Sequence, residues 1–178
     1  WRSEPLTVPC RMLSAWCPTF TRVPVRVGER VAAGTPAAGR ACSFSRGLDS
    51  SFSATTPRPA GERLTHLVYC DGLDPSYGPA TSAARIEAAR AAAETVGLPL
   101  VATSTNAREL LDHVVDHEDS YGACLAMVGL SLAPAIGSFT IASSRDYNSL
   151  LPRGAHPMLD PLWSSDRVAI AHDSMAFD

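Results

Sequence analysis

The chain has 178 residues and a formal net charge of −3, from fifteen basic and eighteen acidic side chains; every basic residue is arginine. Without lysine there is no Schiff-base chemistry, no lysine catalyst and no Walker-type phosphate loop. The length suits one domain, the 46% apolar and 19% charged content suits a globular one, and no apolar run approaches the length of a membrane span.

Five cysteines (Cys10, Cys17, Cys42, Cys70, Cys124) are an odd number with no C-x-x-C, and no charged-then-apolar leader opens the chain. The expectation is therefore a reducing, cytoplasmic compartment rather than a disulfide scaffold. Charge is uneven. Residues 1–63 carry nine Arg against four acids, net +5, and residues 64–178 carry six against fourteen, net −8. That pattern suits a local anionic ligand rather than a long nucleic-acid track.

Residues 1–39 read as an irregular extension and linker, broken by Pro5, Pro9, Pro18, Pro24 and Pro36, with Val23–Val27 a candidate edge strand. Residues 40–178 read as an α/β domain. Arg40–Ser45 is the first strand and Leu64–Cys70 the second, closed by Asp71-Gly72. Residues 81–96 form a helix capped by Thr81 or Ser82, with Ile86, Ala89, Ala93 and Val96 on one face and Gly97 then Pro99 as its stop. Leu98–Thr103 is a third strand. Residues 107–118 form a helix with Leu110, Leu111, Val114 and Val115 inward, and residues 121–133 form another. Ser138–Ser143 is the fourth strand and Arg167–Ala171 a possible last one, joined by a Pro- and Trp-rich loop region. Strands alternating with helices predict a three-layer, Rossmann-like α/β fold with a parallel sheet covered on both faces.

In such sheets ligands sit beyond the strand carboxyl ends, where the strand order reverses. The first strand ends in Ser45-Arg46-Gly47-Leu48-Asp49-Ser50-Ser51. Hydroxyls at 45, 50 and 51, a glycine for close backbone approach and a following helix N-terminus are the parts of an anion cradle.

This segment resembles the PP-loop, S-G-G-x-D-S, of the ATP pyrophosphatase superfamily (adenine nucleotide alpha hydrolase-like). The superfamily includes asparagine, GMP and NAD synthetases, tRNA thiolation enzymes and deazaguanine-nitrile synthases. Ser45, Gly47, Asp49 and Ser50 match, with Ser51 also usual. The later T-H-L-V-Y-C-D-G-L-D, L-P-L-V-A-T-S-T-N, S-S-R-D-Y and G-A-H-P-M-L-D-P-L-W-S-S stretches are similar to a bacterial branch of it, so the resemblance covers about residues 40–172. It implies an ATP-dependent, AMP-forming ligase that adenylates a small-molecule carboxylate or carbonyl and releases pyrophosphate. It further implies that Ser45, Gly47, Ser50 and Ser51 hold the phosphates of ATP, with Asp49 near the pyrophosphate, in a cofactor-binding loop that here also contains Arg46 and Leu48. Asp49 would also meet Mg²⁺, and Cys70, Asp71 and Gly72 would lie beneath adenine and ribose. The resemblance also leads to the expectation that the domain over 40–178 is truncated at its C-terminus.

Arg46 stands where the family has its first glycine. Two readings stay open: an added phosphate clamp, which would make Arg46 catalytic beside Asp49, or erosion of the loop in a non-catalytic nucleotide-binding or scaffold domain. The helix after the loop, a Ser/Thr run cut off by Pro57, is a weak anchor.

Among other candidates, Arg145, His156 and Asp160, with Asp146 and Arg153 near them, could form the acceptor-substrate side; equally, His156 and Asp160 could serve loop backbone groups. His113 and His117, at i and i+4 among acids, read as a solvated face rather than a metal site. Cys42, Cys70 and Cys124 read as inert thiols. The expected partner is a small-molecule acceptor, with neither membrane nor nucleic acid; tRNA thiolation would need a basic surface that residues 64–178 lack. Whether the chain forms a homo-oligomer stays open.

Overall fold

The computed structural model describes residues 7–21, 34–73, 81–142, 145 and 148–173. Five strands, β1 (Gly39–Ser43), β2 (His66–Asp71), β3 (Leu100–Ser104), β4 (Ile136–Ala142) and β5 (Ala169–Asp173), form one all-parallel sheet in the order β3-β2-β1-β4-β5. The order reverses between β1 and β4, so the crevice that can take a ligand opens above these two strands.

Alternation along the strands separates two cores, because successive side chains leave opposite faces of the sheet. Ala41, Val68, Phe139 and Ile141 pack on one face against helix α5 (His117–Ser131). Cys42, Phe44 and Leu67 pack on the other with Ala54 of α2 (Leu48–Thr55) and Ala93 of α3 (Ser82–Val96). The result is the three-layer, Rossmann-like α/β architecture that the strand–helix alternation predicts. Among the described residues no helix is long and apolar enough to cross a membrane.

α3 starts where Thr81 Oγ1 accepts the Ala84 N–H at 3.2 Å and stops at Gly97, whose φ of +76° is the left-handed cap that glycine permits. Ala89 and Ala93 are its buried face, with Ile86 and Val96 half-buried beside them.

Two expectations are corrected. Residues 7–16 are not irregular: they form helix α1 (Thr7–Trp16), with Leu13 and Pro9 buried. Pro9 lies in the first turn, where a missing N–H breaks no intrahelical bond, and Pro18 follows the end. The helix expected over 107–118 is instead the five-residue α4 (Ala107–Leu111), and Asp116 starts α5 by accepting the Glu118 N–H at 2.8 Å. A turn between them leaves Leu110 69% and Val114 78% exposed rather than inward. The candidate strand Val23–Val27 lies outside the described residues.

Candidate functional site

The chain leaves β1 through Phe44, whose N–H still donates to Val68 O at 2.8 Å, and then turns into α2. The turn is closed by two serines. The Ser45 N–H donates to Ser50 Oγ at 3.2 Å, the Ser50 hydroxyl donates to Gly47 O at 3.1 Å, and the Gly47 N–H donates to Ser45 Oγ at 3.3 Å. Ser50 is buried, whereas Ser45 is exposed.

Arg46 lies within this ring of hydrogen bonds at φ +70°, the only non-glycine residue with positive φ among the described residues. A side chain in the left-handed region costs roughly 1–2 kcal/mol, which explains why a glycine suits this position in a loop of this shape. Gly47 has an extended backbone (φ −68°, ψ 166°) and no side chain caps α2. The first N–H groups of the helix therefore stay open toward an anion.

Beside the loop is a cavity of about 260 Å³ over the carboxyl ends of β1, β2, β4 and β5. Ser45, Asp49 and Ser50 line its loop side, and Arg145 and Arg153 supply cations to its wall. Val68, Tyr69, Cys70 and Leu73 form a largely apolar flank. The candidate residues thus divide. Ser45, Asp49, Ser50, Cys70 and Arg145 border the cavity; Arg46 and Gly47 of the loop and Ser51 in the first turn of α2 are not in its lining, and Leu48 is 85% exposed.

Asp71 is committed elsewhere. Its carboxylate takes Arg85 Nε at 2.6 Å and Nη2 at 3.0 Å, and these hydrogen bonds hold it below the usual carboxylate range. Gly72, at φ +89°, lets the end of β2 press against the Thr105 carbonyl, where a Cβ would overlap that oxygen. Asp71 and Gly72 are not in the lining of the cavity; they join β2 to α3 and to the loop after β3.

His156 and Asp160 lie beneath the cavity rather than in its lining. Asp160 is fully buried and accepts the His156 N–H at 3.3 Å. The His156 ring takes the Met158 N–H on Nδ1 at 3.1 Å and meets Trp16 edge-on, with ring centroids 4.8 Å apart. Burial, then the neighbouring His172, pushes its pKa below the ordinary histidine value. Asp146 lies outside the described residues.

Two cavity residues escape the sequence reading. His117 lines the wall and packs edge-on against Tyr121, because the break before α5 takes it off the solvated face; His113 is exposed as expected. His172 also lines the cavity, since β5 runs two residues further than Ala171 and brings it to the carboxyl end of the sheet. The usable signal was position: a histidine directly after an apolar strand stands where such sheets bind ligands.

The thiols follow their burial, which pushes Cys42 up to about 12 and raises Cys70 and Cys124. Among the described residues no cluster of three or more His, Cys, Asp or Glu could hold a metal ion. Asp49 and Glu118 are the two carboxylates in the lining of the cavity among the described residues, and Mg²⁺, which keeps waters and phosphate oxygens as most of its ligands, would need no more than one of them. The chain matches no family model and no curated protein sequence.

Proposed function

We propose that the chain is an ATP-dependent, AMP-forming ligase that activates a small-molecule carboxylate or carbonyl. One observation carries the reading: a serine-closed loop with an uncapped helix N-terminus opens beside a cavity at the reversal of a 3-2-1-4-5 parallel sheet. The open N–H groups of α2, with Ser45, Gly47, Ser50 and Ser51, suit a pyrophosphate. The Arg46 guanidinium suits its outer oxygens, and Asp49 suits Mg²⁺. The flank of Val68, Tyr69, Cys70 and Leu73 suits a flat base. When bound, ATP–Mg²⁺ would supply the adenylyl group and the pyrophosphate leaving group, whose charge the cradle would stabilise.

A second reading, a non-catalytic nucleotide-binding or scaffold domain, is favoured by Arg46. Its strained backbone marks a loop that departs from the glycine-rich form. The ligase and the nucleotide-binding domain both require nucleotide binding, whereas a scaffold does not. The test is thermal unfolding with millimolar ATP–Mg²⁺ and, separately, AMP, together with an assay of pyrophosphate release. Stabilisation with pyrophosphate release supports the ligase, and stabilisation without release supports the binding domain. No shift with either nucleotide removes the ligase and the nucleotide-binding domain and leaves the scaffold.

A further inference from the structure

A histidine at the cavity wall and a carboxylate buried behind it have a geometry that packing alone leaves unexplained. Asp160 Oδ2 is 2.6 Å from His172 Nδ1, while Asp160 Oδ1 accepts the main-chain N–H of His156. With both carboxylate oxygens accepting, the proton of that short contact sits on Nδ1, and the lone pair of the neutral ring lies on Nε2. Nε2 is buried and has no hydrogen-bond partner among the described residues. The side chain is only 3% exposed, yet it borders the same cavity as Ser45, Asp49 and Ser50. A buried polar atom left unpaired keeps its desolvation penalty until a ligand group meets it. Asp160 is itself well supported: Pro161 follows it in its 3-10 turn, and Gly122 of α5 lets the helix come so close that a Cβ there would sit 2.8 Å from Asp160 Oδ1.

We propose that His172 is the catalytic proton acceptor on the acceptor side of the cavity, with Asp160 as its positioning residue. The proposal rests on the adenylating reading above. In that reaction a protic nucleophile attacks the activated carbonyl carbon. His172 Nε2 takes the nucleophile's proton as the new bond to carbon forms. The bond from that carbon to the AMP oxygen breaks, and its electron pair leaves with AMP. Asp160 holds the tautomer that leaves Nε2 free and stabilises the imidazolium until water removes the proton.

Diethyl pyrocarbonate tests this on the folded full chain, because it acylates unprotonated imidazole nitrogens; peptide mass mapping reads each site, with exposed His113 as the standard. His172 is expected to react, and Asp160→Asn to slow it about tenfold, since an amide can donate to Nδ1 and move the proton to Nε2. Unfolding would speed the reaction, so slowing separates positioning from structural damage. Long-range ¹H–¹⁵N spectra of the wild-type chain read the same tautomer without a substitution. His172 left unmodified when His113 is fully modified, or carrying its proton on Nε2 in the wild type, overturns the proposal. So does an unchanged rate in Asp160→Asn. ATP–Mg²⁺ forms a third arm. Protection of His172 supports the proposal, and a nucleotide that stabilises the chain without protecting His172 overturns it. If the nucleotide neither stabilises nor protects while His172 reacts, the loop reading has failed and the dyad itself has not.

Discussion

At φ +70°, Arg46 pits conformational strain against charge, and the two contributions separate by substitution. Arg46→Gly removes a left-handed penalty of roughly 1–2 kcal/mol but adds glycine's unfolded-state entropy of roughly 0.5–1 kcal/mol. The expected net gain is about 0.5–1 kcal/mol in urea unfolding. Arg46→Ala keeps the strain and loses only the guanidinium, so its stability should stay near that of the parent. Nucleotide binding then decides the role. If Arg46 clamps phosphate, both variants should lose about ten- to a hundredfold in ATP affinity by calorimetry, the equivalent of one charge-assisted hydrogen bond of about 1.5–3 kcal/mol. If Arg46 marks an eroded loop, Arg46→Gly should instead raise pyrophosphate release.

At the scale of elements, the site depends on how the ends of β2 and β3 are joined. The Thr105 N–H donates to Asp71 O at 3.0 Å, and Gly72 packs against the Thr105 carbonyl at φ +89°. Gly72→Ala meets both a forbidden backbone region and a backbone oxygen, so a loss of about 2–4 kcal/mol is expected. Gly47→Ala meets only Ser45 Oγ at 3.2 Å from an extended backbone, and the weaker N-cap should cost about 1 kcal/mol. Paired urea titrations check the ranking; equal losses would overturn this account of Gly72. The two glycines were equally visible in the sequence, but their different burdens were not, because Gly72 acquires its neighbour from a loop more than thirty residues away. Local signals read well where local physics decides: Thr81 and Gly97 bound α3 almost to the residue, and alternating strand runs predicted the parallel sheet. They failed where a competing local cap or a tertiary contact decides. Asp116 starts a new helix inside an apparently continuous apolar period, and α1 forms across prolines that happen to fall outside its bonded interior. Within the site, the loop was legible as a motif, whereas the partnership of Asp160 with His172 required β4, β5 and the intervening loop to be in place.

Across the whole molecule, the N-terminal helix and the loop beneath the cavity are parts of one packing unit. Leu13 is 7% exposed, and Trp16, three residues on, covers the His156 ring, which adjoins the Asp160 that holds His172. Leu13→Ala should therefore cost about 2–4 kcal/mol, as a buried leucine truncation does. It should also loosen the cover over His156, and the pH dependence of stability reports that cover. Because burial holds the folded pKa of His156 below its ordinary 6.5, the unfolded chain binds the proton more readily. The histidine's contribution to stability is therefore complete above about pH 6.5 and is lost as pH falls toward the folded pKa. His156→Asn, whose amide oxygen can still accept the Met158 N–H, should flatten the stability profile over that window. Leu13→Ala should shrink the same slope, because water reaching the ring relieves the desolvation that creates it. Urea unfolding of the three proteins across that window measures both effects. A slope unchanged in Leu13→Ala would mean that α1 contributes stability without shielding His156, and the helix would then be an attachment to the domain rather than the cover of its inner loop.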